Sequence, residues 1–153
     1  MPKLVDRPAT SPWQPYREPL NATLVRTGAI ALILGAVFAR YALGGLAHWP
    51  LGILLMLWPS FGGHWLEIWF LNWLRPRLPV ARPAQVAGRA VAWFVGGTAM
   101  ALGMSLTATA LEGYRAAQWP PLWLGGIAFI AVELVAHLFL QLRGRPSFYT
   151  GGG

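Results

Sequence analysis

Two pairs of ionisable residues interrupt apolar runs in this chain: His64 and Glu67 in FGGHWLEIWFLNWL, and Glu133 and His137 in IAVELVAHLFLQL. Spacings of three and four put both members of a pair on one helix face. An imidazole beside a carboxylate can share a proton, contribute to a transition-metal site, or act only as polar glue between helices. A bare carboxylate is costly in hydrocarbon, so such residues turn inward and find partners. Glu67 lies eight residues before Arg75 and His137 eight before Arg145, while His64 and Glu133 lie eleven and twelve before the same arginines. If the helices bearing them run in the same direction and face each other, each histidine meets a glutamate of the other helix. Two crossed Glu–His pairs are the expectation.

Three uses of the four residues His64, Glu67, Glu133 and His137 follow. As glue, they fix the register of two helices, each bond contributing on the order of 1 kcal/mol. As a cofactor site, they take either a metal or a haem- or chlorin-type tetrapyrrole at His64 or His137. For the ring, Gly62 and Gly63 leave space and Trp58, Phe61, Trp65 and Trp69 supply apolar neighbours. Against a pair of metals, the order His-x-x-Glu reverses the Glu-x-x-His of di-iron bundles. As a proton relay, Asn72 and Gln141 continue the path toward one surface, but only Ser60, Ser105, Thr107 and Thr109 lead toward the other. Glue is the preferred reading, and no catalytic residue is assigned.

The elements that must position these groups are apolar helices. Of 153 residues, 56% are hydrophobic and 11% charged, whereas a soluble domain carries roughly 25% charged residues. The fold class expected is all-α: four transmembrane helices in a bundle over 22–46, 51–74, 86–111 and 122–142, together a membrane domain at 22–142. His48-Trp49-Pro50, Arg75-Pro76-Arg77-Leu78-Pro79 with Arg82-Pro83, and Trp119-Pro120-Pro121 separate them. Prolines beyond helix ends and tryptophans at the water boundary suit a bilayer interface. The leader, residues 1–21, has five prolines and is expected to be extended. A tail at 143–153 closes the chain.

Ten of the twelve Lys and Arg residues fall in the leader through Arg26, the middle loop, or the tail. The positive-inside tendency then puts both termini on the cytoplasmic side of the cell membrane. A secretory signal in the first apolar run fits less well, because the polar leader before it is long. Arg75, Arg77, Arg82 and Arg89 are expected to meet anionic lipid head groups or a protein partner, and Trp13, Tyr16, Phe148 and Tyr149 to dock on a neighbouring subunit. Arg40 can snorkel outward or pair with Glu112 or Glu133.

A shift of 70 residues aligns Ala47-His48-Trp49-Pro50 with Ala117-Gln118-Trp119-Pro120, and Ala31, Gly35 and Ala39 with Ala101, Ser105 and Thr109. Small residues four apart allow close helix approach, and the shift suggests a duplicated hairpin. There is no cysteine, which removes disulfides and thiolate metal sites. Nucleotide-binding loops and nucleophile–base motifs are absent, and nucleic acid is not an expected partner. The expected role is an accessory or assembly subunit of a larger membrane complex; the alternative is a cofactor-binding or proton-conducting membrane protein.

Overall fold

The computed structural model describes residues 16–79, 81–112 and 121–144, without the side chains of Arg82, Glu112 and Leu140. Trp13, Phe148, Tyr149, the Trp119-Pro120 landmark, Arg115 and Arg145 lie outside the described residues. The described part is all helical: α1 (Leu20–Tyr41), α2 (Trp49–Leu74), α3 (Arg82–Glu112) and α4 (Leu122–Leu142), with short 3-10 turns at Leu46–His48 and Arg75–Arg77. Three stretches, Leu20–Tyr41, Pro83–Leu111 and Leu122–Phe139, are long and apolar enough to cross a membrane. Helices suit that setting because each satisfies its own backbone hydrogen bonds where water is absent.

The boundaries follow local chemistry. The first helix, expected to run to residue 46, stops at Tyr41, because Gly44 takes φ 83°, a conformation that costs glycine nothing and other residues a clash. The third helix, expected from 86, begins at Arg82. Pro83 is no break there, since proline in a first helical turn lacks only an N–H that would have had no partner. Proline also sits inside α2, where the Pro59 ring lies against α3 at Gly103.

Each helix packs antiparallel against the next along the chain. Down the α1–α2 seam, Gly35 sits on the backbone of Gly52 and Ile53; down α2–α3, Gly63 meets Gly96 and Met100; down α3–α4, Gly97 meets Gly125, Gly126 and Phe129. A Cβ at Gly96 would lie 2.9 Å from the Glu67 Cβ, and one at Gly97 would lie 2.6 Å from the Gly125 carbonyl oxygen. Consecutive positions on a helix point about 100° apart. Thus Gly96 and Gly97 open two different faces of α3, and α3 is inserted between α2 and α4. Lipid gives apolar side chains no hydrophobic reason to associate, so close contact at small residues carries the packing.

Phe38, Met56, Met104 and Ala108 form one buried cluster, and Ile30, Trp93, Met100 and Phe129 another. Helices α1 and α4 are not packed along their length. An apolar groove of about 390 Å³ separates them, lined by Ile30, Leu34, Met104, Phe129 and Val132 with α3 at its floor.

Candidate functional site: a buried ionic network

The position of α3 overturns the crossed Glu–His pairs. With α3 between them, α2 and α4 are not packed along their length, and Glu133 meets His64 only through the charges gathered at Arg26 rather than as a crossed Glu–His pair. His64 turns instead to its own helix and to the chain before α1. Its Nδ1 lies 3.3 Å from Glu67 Oε2 and its Nε2 2.5 Å from Glu18 Oε2.

Arg26 of α1 is the junction. Its Nη2 donates to both Glu67 oxygens at 3.2 and 3.3 Å, and its Nε donates to Glu133 Oε1 at 2.9 Å, with Nη2 also on that oxygen. Arg26 Nη1 stands 3.7 Å from Glu18 Oε1. One guanidinium therefore ties α1 to α2, α4 and the segment before α1, which suits a planar group with five donors and a permanent charge. The side chains of Glu18, His64 and Glu67 are each 2% exposed and that of Arg26 is 12% exposed. Phe129 covers Arg26 from one side, its ring centroid 5.9 Å from the guanidinium carbon.

Residues 16–19 bring Glu18 to this place. Asn72 grips the Tyr16 backbone twice: its Oδ1 accepts from the Tyr16 N–H at 2.8 Å, and its Nδ2 donates to the Tyr16 carbonyl at 3.2 Å. This strap lies along the end of α2, and Glu18 hangs inward from it. Thr23 Oγ1 donates to Glu18 Oε2 at 2.9 Å. Burial alone would push the Glu18 carboxyl up. The hydrogen bonds from His64 and Thr23, with the charges of His64 and Arg26 behind them, hold it below the usual carboxylate range. Burial, with the Glu18 charge next in weight, raises the Tyr16 hydroxyl, although the charges of Arg26 and Arg89 oppose this.

Of the four residues singled out from the sequence, His64, Glu67 and Glu133 belong to the network. His137 does not: its Nε2 lies 3.0 Å from Gln141 Nε2 on its own helix, and its Nδ1 is buried without a hydrogen bond. The partner of Glu133 is Arg26 rather than Arg40, whose guanidinium lies over the Tyr41 ring. Sequence reasoning missed Glu18 and Arg26. A signal existed: Arg26 is a basic residue inside a helix that begins at Leu20, and such a charge needs a buried partner when its helix packs on α2.

Three of the four hydroxyls expected to extend a proton path donate to backbone carbonyls of their own helices, and Thr107 Oγ1 also accepts from Trp58 Nε1 at 3.0 Å. Ser60 donates to the Met56 carbonyl at 2.7 Å, Thr107 to Gly103 at 2.8 Å and Thr109 to Ser105 at 2.9 Å. Among the described residues, no three His, Asp or Glu side chains are arranged to hold a metal ion. Gly62 has open space beside it, but Gly63 is filled by α3. Of the middle-loop arginines, Arg77 is exposed and stacks on Trp73 at 4.2 Å, whereas Arg75 and Arg89 are half-buried. Tyr16 spends its backbone on Asn72. No protein-family model, curated protein or solved structure matches the chain.

Proposed function

We propose that the chain is a small multi-pass protein of the cell membrane that works as an accessory or assembly subunit of a larger membrane complex and has no reaction of its own. In this reading α2 crosses the bilayer with the other three helices, the four make one bundle, and both termini face the cytoplasm. The hairpins α1–α2 and α3–α4 are read as duplicated units.

The observation that carries the reading is the division of α2 into two unlike faces. One face is buried and holds Met56, Ser60, His64, Glu67 and Leu71. On the opposite face Trp58, Phe61, Trp65, Trp69 and Trp73 are exposed, Trp65 to 79%. A bilayer collects tryptophan in belts at its two surfaces. This stripe instead runs about 22 Å along the helix at roughly 1.5 Å per residue, which is most of a hydrocarbon core. Broad, stiff aromatic side chains in such a row are what helix–protein contacts use. His64, Glu67 and Asn72 lower the hydropathy of α2, which is not among the three helices long and apolar enough to cross a membrane.

The network supports the reading from inside, since its hydrogen bonds run among the helices and the strap. The cofactor alternative has less support because both His64 ring nitrogens already face carboxylates. The proton-conducting alternative has less because Ser60, Thr107 and Thr109 donate to the backbone of their own helices.

Extraction from native membranes in mild detergent, followed by native electrophoresis, tests the proposal. The wild-type chain is expected in an assembly well above its monomer mass, and the Trp65→Leu/Trp69→Leu variant is expected to be released from it while remaining folded. A wild-type chain that migrates alone, or one carrying a stoichiometric chromophore or metal, contradicts it.

A further inference from the structure

We propose that Thr23, Arg26 and His64 form a socket for a small aliphatic carboxylate that fills with uptake of one proton, and that Glu18 is the chain's own tethered occupant.

The socket is built by helices, whereas its occupant is not. Thr23 and Arg26 stand on α1 and His64 on α2, all held by helix packing or by the network. Glu18 belongs to the strap outside the helices. Besides Glu18 itself, two Asn72 bonds to the Tyr16 backbone hold the strap on α2, and these do not depend on the Glu18 side chain. Removing the Glu18 side chain would leave His64 Nε2 and Thr23 Oγ1 aimed at one vacated oxygen position and Arg26 Nη1 beside the other. A hydroxyl and two nitrogen donors converging on two oxygens match a carboxylate. The side chain lost is a two-carbon acid, and propionate reproduces it.

The proton follows from the two faces of one imidazole. Nδ1 and Nε2 both lie within reach of carboxylate oxygens, at 3.3 and 2.5 Å. A ring nitrogen with a bare lone pair repels a carboxylate at such a distance, so a hydrogen stands in each gap. Neutral imidazole has only one. The second arrives with the carboxylate, whether it rests on His64 or on the acid. The depressed Glu18 carboxyl agrees with a proton resting on the histidine side. Among the described residues, the charged and titratable groups that face His64 are Glu18 on the strap, Arg26 on α1, Glu67 on α2 and Glu133 on α4, with Tyr16 on the strap and Arg89 on α3 bordering that set. The α3 surface against α2 at this level is Gly96 and Met100, which do not titrate.

Propionate titrated calorimetrically into the full-length Glu18→Ala variant, in two buffers of different ionisation enthalpy, reads both parts of the inference. Expected are one saturable site, one proton taken up per propionate, and a Kd that rises about tenfold per pH unit where the free socket is unprotonated. Glu18→Ala/His64→Gln loses the pH dependence, and the wild type, already occupied, binds at least tenfold more weakly. Absence of saturable binding to folded Glu18→Ala, binding without proton uptake, or equal binding by wild type overturns the inference.

Should Glu18→Ala not fold, the strap can be followed directly. The chain has no cysteine, so Arg17→Cys, at an exposed strap position, takes a single nitroxide. Its mobility is expected to increase with propionate and with rising pH, and sodium sulfate at equal ionic strength is expected not to reproduce the propionate effect. A label indifferent to both pH and propionate, or equally responsive to sulfate, overturns the inference.

Discussion

Arg26 shows what a single residue carries here. Its guanidinium reaches two glutamates of different helices and approaches a third carboxylate on the strap. Removing one partner of a buried ion pair costs about 3–5 kcal/mol, because a charge is left behind without compensation. Arg26→Leu is therefore expected to lose stability of that order in denaturant titrations of detergent-solubilised protein. Arg26→Lys should recover only part, since a point ammonium cannot fork between Glu67 and Glu133. His137 is the control: among the described residues its one hydrogen-bond partner is Gln141 on its own helix, so His137→Ala is expected to change stability by less than about 0.5 kcal/mol. Equal losses from His64→Ala and His137→Ala would contradict the placement of the network. Glu18 adds a pH signature. Its folded carboxyl lies below the ordinary glutamate value of 4.5, so its stabilisation is present above that pH for as long as the second proton stays between His64 and the carboxylates, and is lost on the acid side as pH falls through the lower folded value. The wild type should lose a component of stability below pH 4.5 that Glu18→Gln does not have. That Glu67 and Glu133 need partners was legible from their apolar surroundings. Which partners they take was not, because Arg26 reads as one more basic residue of a leader until the first helix is known to begin at Leu20.

At the scale of elements, glycines decide which helices meet. The small residues Ala31, Gly35 and Ala39 announce a close-packing face of the first helix from their spacing alone, and all three are buried, with Gly35 against Gly52 and Ile53. The Gly96-Gly97 pair carried equal information that spacing rules do not weigh. Two adjacent glycines serve two neighbours, and this inserts α3 between α2 and α4 and keeps His137 from Glu67. The prediction at this scale contrasts another adjacent pair. Gly63→Leu would drive a side chain into Met100 and the Gly96 backbone, and overpacking of this kind costs about 1–3 kcal/mol or more. Gly62→Leu points into open space and is expected to change stability by less than about 1 kcal/mol. Thermal unfolding of the two variants side by side checks this, and comparable losses would contradict the α2–α3 seam.

For the whole molecule, the helical class and three apolar helices able to cross a membrane follow from composition and from the length of the apolar runs. Long-range closure does not, because it joins residues as far apart as Arg26 and Glu133, 107 positions along the chain. The apolar groove between α1 and α4 shows why that closure matters: Ile30 and Phe129 share one buried cluster with α3, and the Arg26–Glu133 pair adds a direct tie between the two helices beside the groove. One guanidinium holds α1, α2 and α4 together. A double-mutant cycle of Arg26→Leu and Glu133→Leu, read by reversible unfolding in mixed micelles, tests it most directly. Expected is a coupling of at least about 1.5 kcal/mol, with the double variant more stable than Arg26→Leu alone because no glutamate of α4 is left uncompensated. Additive losses from the two substitutions would contradict it.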